Sequence, residues 1–189
     1  MTRRRLQWFK KRPKDSPSDL GTMKLVTKAQ VREDPTFHFS RPPSAAPTIP
    51  ITLYQPILGQ FKVDCEELEP TPKDHKFALD LSRAMSDFYH NEKARLKVFR
   101  EILAKNDIFL KTGKINSYET DGDIRGDNIA YTILEGKVEL GSGGVDPFFQ
   151  AGWYYTSFVG KKMNNYPESN FPCLIIYLAG ILDRILTGF

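Results

Sequence analysis

Residues 118–150 read YETDGDIRGDNIAYTILEGKVELGSGGVDPFFQ, and the fold turns on how this stretch pairs with itself. Gly126-Asp127-Asn128 is a turn signal, so a hairpin centred there sets residues 119–125 against 129–137. Side chains on a strand alternate between faces with a period of two. Glu119, Asp121 and Asp123 then share a face with Ile133, Glu135 and Lys137, while Tyr118, Ile124 and Leu134 take the other. Two readings of the charged face stand open. It is either a solvated face over a core of Tyr118, Ile124 and Leu134, or a gathering of acids with one lysine that packing does not explain.

Downstream, Asp146-Pro147 matches an N-cap followed by proline at the first helical position and predicts a helix over about Pro147–Lys161. Phe148, Ala151, Tyr154, Tyr155 and Phe158 are its core residues, with Gln150 one turn before Tyr154. FPCLIIYLAG, residues 171–180, has the length, β content and flanking Pro and Gly of a buried strand. It is expected beside the hairpin, parallel to the hairpin's second strand through the intervening helix. GSGG at 141–144 lacks the Lys-Ser/Thr of a phosphate-binding P-loop. Those glycines serve to turn the chain from strand to helix.

Upstream, Phe77, Leu81, Met85, Phe88, Leu96, Phe99 and Leu103 recur at steps of three and four and predict helix from about Lys73 to Lys105. The stripe calls for an apolar residue at 92, where the chain has Glu92, a charge that is costly on a buried face without a partner. Either the helix breaks near Tyr89-His90-Asn91 and Glu92 caps a second one or snorkels to water, or Glu92 aims a carboxylate inward at a cation. The order helix, strands, helix, strand predicts an α/β layer.

A chain of 189 residues suits one core of ordinary size. Its net charge of +4 is misleading: residues 3–14 carry seven basic residues and no acid, and beyond them 20 basic residues face 23 acidic ones, a net of −3. The RRR and KKRPK clusters read as a nuclear-import patch or as a tail without an address. Seven of the 13 prolines fall in residues 1–50, which are expected to be a disordered arm, with the domain spanning 51–189 and ITLYQPILGQF as its irregular or strand-like start. The chain shows no secretory signal and no apolar run long enough for a membrane span, so an intracellular protein, nuclear or cytoplasmic, is expected. Cys65 and Cys173 are far apart and have no His beside them, which excludes a zinc or disulfide framework. His38, His75 and His90 do not stand at metal-ligand spacing, and no nucleophile triad is assembled.

What remains in order is Glu92, Asp121/Asp123, Glu135-Gly136-Lys137 and Gln150. This series resembles the PD-(D/E)xK nuclease superfamily. More narrowly, YETDGDI, EGKVELGSGGVDPFFQAGWYY and FPCLIIYLAG resemble the nuclease-like domain of fungal Crinkler-type proteins, from about Ile51 to Gly180. The resemblance implies a restriction-endonuclease-like mixed sheet flanked by helices and a magnesium or manganese site. Glu92, Asp121 or Asp123, Glu135 and the Gly136 carbonyl would hold the cation, with Lys137 orienting the attacking water and Gln150 positioning the lysine or a phosphate. It implies DNA or RNA as the partner and phosphodiester hydrolysis as the activity; the alternative is an inactive module of the same fold that binds nucleic acid or protein. Two departures are visible. Gly136 stands where a β-branched residue is usual, and the chain stops at Phe189, leaving a terminal strand expected to be missing.

Overall fold

A computed structural model of the chain describes residues 7, 10, 12–30, 51–138, 144–180 and 182–188, with residues 30, 51, 54 and 182–188 described by backbone alone. Two short helices, α1 (Pro17–Leu20) and α2 (Met23–Gln30), come first, followed by α3 (Ile51–Tyr54) and α4 (Pro56–Glu67). Then come α5 (Pro72–Met85), α6 (Glu92–Ala104), β1 (Lys111–Ile115), β2 (Tyr118–Gly126), β3 (Ile129–Lys137), α7 (Pro147–Lys162) and β4 (Cys173–Ala179). Strands β1–β4 make a mixed sheet in sequence order, and β5 (Leu182–Gly188) extends it at the edge, antiparallel to β4. Residues 182–188 thus form the edge strand of the sheet after Gly180.

The hairpin forms where expected. Asp127 and Asn128 both have positive φ, 50° and 62°, the pair that a two-residue type I′ turn requires and that Asp and Asn tolerate better than most residues. Strand β4 runs parallel to β3, with Glu135 beside Tyr177 and Lys137 beside Ala179. The crossover between them is α7, whose start is fixed by Asp146: its Oδ1 accepts from the N–H groups of Phe148 (2.9 Å) and Phe149 (3.2 Å), and Pro147 follows with φ already set.

Helices cover both faces of the sheet. Leu96, Phe99 and Leu103 of α6 pack with Leu134, Ile176 and Leu178 on one face. Ala151, Tyr154 and Phe158 of α7 pack with Ile133 and Ile175 on the other. The predicted helix over 73–105 is two helices. Residues 86–91 break it, Asn91 caps the second by accepting from the Ala94 N–H (2.9 Å), and Phe88 is left 96% exposed.

Two expectations fail for physical reasons. Residues 51–67 are helical rather than strand-like, because Pro56 suits the first turn of α4 and Gly59 lets that helix approach the Thr52 carbonyl. Helix α4 contributes no buried residue. The described part of the arm is also structured: Leu20, Val26 and Ala29 are buried against Phe148, Phe149 and Trp153 of α7. Ser16 caps α1, Thr22 bridges to Val145, Asp146 N–H donates to the Gly21 carbonyl, and Arg12 Nη1 donates to the Thr156 carbonyl. Residues 31–50, with His38 and the RPPSAAPTIP stretch, lie outside the described residues, as do most of residues 1–11 and residues 139–143 of the glycine-rich segment.

Leu20→Ala should therefore destabilise the protein by about 2–4 kcal/mol in urea unfolding, the cost of a cavity in a packed core. Ile57→Ala, at a position 65% exposed, should stay within about 0.5 kcal/mol of the wild type. Equal, negligible effects would return residues 17–30 to the status of an arm.

Candidate active site

The antiparallel register sets Gly122 against Leu134 and Asp123 against Ile133, so the next step brings Asp121 alongside Glu135. Asp121 Oδ2 accepts the Gly136 N–H at 2.8 Å. From the same strand as Glu135, Lys137 Nζ donates to Glu135 Oε1 (3.0 Å) and to the Gly136 carbonyl (2.9 Å). Glu92, the first residue of α6, reaches the same ammonium, with Oε2 3.5 Å from Nζ. Both readings of Glu92 are thus partly met: the helix does break before it, and its carboxylate does point at a cation, which is Lys137.

Burial governs the charges. Glu135 is only 2% exposed; burial first, then the charges of Asp121 and Glu92, push its carboxyl up to about 8 against the opposing pull of Lys137. Asp121 is also raised, mainly by burial, with the Gly136 N–H, Lys137 and Arg100 acting the other way. The same holds for Glu92, where burial outweighs Lys137. Burial works against the Lys137 ammonium, yet Glu135, Glu92 and Asp121 together hold it above the ordinary lysine value. Arg100 Nη1 donates to the Asp121 carbonyl oxygen, which ties α6 to β2 at this point.

Asp123 does not join the group. Its carboxylate is taken by Arg125, Nε to Oδ1 at 2.9 Å and Nη2 to Oδ2 at 2.6 Å, and by the Thr120 hydroxyl at 3.0 Å. Its charge is felt at buried Cys173 instead. Of the two candidate aspartates, only Asp121 stands with Glu135. Gln150 is buried on α7, but its Nε2 donates to Ser18 Oγ (3.2 Å) and its Oε1 has no partner, so its expected link to Lys137 is not seen. Tyr154, one turn on and expected in the core, does more than pack. Its hydroxyl donates to the Glu119 carbonyl at 2.7 Å, and burial, then the charges of Glu135 and Asp121, push it up to about 12. The signal for it in the chain is its i+4 spacing from Gln150 on the helix face turned toward the acids.

Among the described residues, no three His, Cys, Asp or Glu side chains are grouped as a ready metal cage. What the residues do form is a crowded set of carboxylates around one ammonium, with a carboxyl that exchanges its proton near neutral pH. No family model, curated protein or solved structure matches this chain.

Folded Glu135 keeps its proton up to about pH 8, whereas the unfolded chain releases it near the ordinary 4.5. Its contribution to stability is therefore complete below pH 4.5 and is lost as pH rises through 8, by an amount on the order of a few kcal/mol. Urea unfolding at pH 5 and pH 8.5 should register this loss in the wild type and a markedly smaller one in Glu135→Gln. Parallel losses in both would mean that Glu135 is not the group responsible.

Proposed function

We propose that the protein is a metal-dependent nuclease-like hydrolase of phosphodiester bonds in nucleic acid, working at Asp121, Glu135 and Lys137. The observation that carries this reading is the burial of Glu135 beside Asp121, with Lys137 and, more weakly at Asp121, Arg100 offsetting the acids among the described residues. Like charges brought together out of water are relieved by a divalent cation, and hard oxygen donors in small number suit magnesium or manganese, which keep much of their water. The Gly136 carbonyl is a third oxygen of the same type, within reach of Lys137. Glu92, half-exposed at the mouth of the group, would take a water or a second cation.

A bound magnesium or manganese ion supplies positive charge to the phosphoryl oxygens and makes water more acidic. The chain's own groups do the rest. Lys137, held by Glu135 and Glu92, orients the attacking water and offsets charge on the phosphoryl group. Tyr154 fixes the backbone of β2 two residues before Asp121. Gln150, hydrogen-bonded to Ser18, supports Tyr154 rather than the lysine.

A polyanion also needs cations along its path. Arg125 is committed to Asp123. An open groove of about 700 Å³ between α5 and α6 carries Lys73, Lys76, Arg83 and Lys105 against Asp80 and Asp87, a net positive lining suited to phosphates.

Single- and double-stranded DNA and RNA, incubated with the full chain and millimolar magnesium or manganese, should be cleaved. Glu135→Gln and Lys137→Ala should lose about 100-fold or more of that activity. Binding of nucleic acid without metal-dependent turnover would replace the hydrolase with an inactive binding module of the same architecture. In thermal melts, manganese at a hundred times its dissociation constant should stabilise the wild type by about 2.7 kcal/mol and leave Glu135→Gln unmoved. Equal melting of both with and without manganese would remove the metal site.

A further inference from the structure

Arg95 lies on α6 one turn after Glu92 and is only 5% exposed, yet among the described residues no carboxylate pairs with it. The other buried charges of the sheet have counter-charges: Asp123 has Arg125, and Glu135 has Lys137. The Arg95 guanidinium has a carbonyl and a ring. Its Nη1 donates to the Val138 carbonyl at 3.0 Å, its Cζ stands 5.4 Å from the centroid of the Tyr89 ring, and its Nε is buried without a partner. A charge desolvated this far without a counter-ion is unfavourable. That cost is recovered when an anion arrives.

The remaining geometry selects the anion. With Nη1 committed to Val138, the free side of the guanidinium is the Nε–Nη2 edge, the planar fork that matches two oxygens of one phosphate or carboxylate. Tyr89 stacks against the plane and leaves that edge its orientation. Val138 directly follows Lys137, so the fork stands one residue beyond the ammonium of the acid group. Asn91 caps α6 just before, and the first turn of that helix adds its positive end.

We propose that Arg95 is an oxyanion-binding residue whose Nε–Nη2 edge receives two oxygens of a phosphoryl group beside Lys137. The inference deepens the phosphodiesterase reading and rests on it for phosphate rather than another oxyanion. Arg95, on the same helix as Glu92, fixes the phosphoryl group by two bonds where Lys137 offers a point charge.

The probe is inorganic phosphate, titrated into the full chain at pH 6 with and without magnesium and followed by the arginine Nε–H signals in nitrogen-resolved NMR. The Arg95 signal, identified by its proximity to the Tyr89 ring, should move. Arg95→Lys keeps the charge and loses the fork, and should bind phosphate about tenfold more weakly. Should that variant not fold, the wild-type signal alone decides. A titration that moves other arginines and leaves Arg95 in place, or equal phosphate affinity in Arg95→Lys, overturns the proposal. Phosphate binding requires no turnover, so the two readings fail separately. A protein that binds phosphate through Arg95 and cleaves nothing loses only the hydrolase, and one that cleaves equally well with Arg95→Lys loses only this assignment.

Discussion

The ammonium of Lys137 is held between Glu135 and Glu92 and also donates to the Gly136 carbonyl, and two elements of the fold, β3 and α6, meet on that one charge. Without it, Glu92, Asp121 and Glu135 would face one another in a region from which most water is excluded, where Coulomb repulsion is several times stronger than in bulk. The position of α6 follows from the same point. A Cβ at residue 136 would stand 2.8 Å from Leu96 Cδ2, so the helix can lie this close to β3 only because residue 136 is glycine. The departure from a β-branched residue between Glu135 and Lys137 is what brings the start of α6, and with it Glu92, within reach of the lysine.

On the opposite face, α7 joins the hydrophobic core to the charged group. Its start is pinned by Asp146, its apolar side fills the space over Ile133 and Ile175, and Tyr154 carries the register of β2 through a single bond to the Glu119 carbonyl. Packing and chemistry are served here by one side chain, whose ring is buried in the core while its hydroxyl fixes the strand that bears Asp121.

The elements legible in the chain were those with strong local chemistry. Asp127 and Asn128 tolerate the backbone of a tight turn, Asp146-Pro147 starts a helix, and the apolar run 173–179 has only a buried strand to become. Glu92, Asp121, Glu135 and Lys137 were legible because they share a face or interrupt a stripe. What stayed hidden depended on partners distant in sequence. Asp123 looked equivalent to Asp121 until Arg125 and Thr120 claimed it. Arg95 looked like any helical arginine, since nothing local says that a cation will be buried. In residues 12–30 the prolines and basic residues masked a usable signal: Ser16-Pro17-Ser18-Asp19 is a helix start, and Leu20, Val26 and Ala29 are the apolar residues it leads into.

That N-terminal segment has a consequence for how the chain is made. Thr22 finds its bridge at Val145, and Arg12 its acceptor at Thr156. A ribosome emits the protein from its N-terminus at roughly 5–20 residues per second, so Leu20, Val26 and Ala29 emerge on the order of ten seconds before the helix that will cover them exists. Throughout that interval the first helices are an apolar segment whose docking surface has not yet been made, flanked by a basic stretch. The N-terminal segment can therefore close onto the fold only once Val145 and α7 have been made, so its closure waits on the later part of the chain.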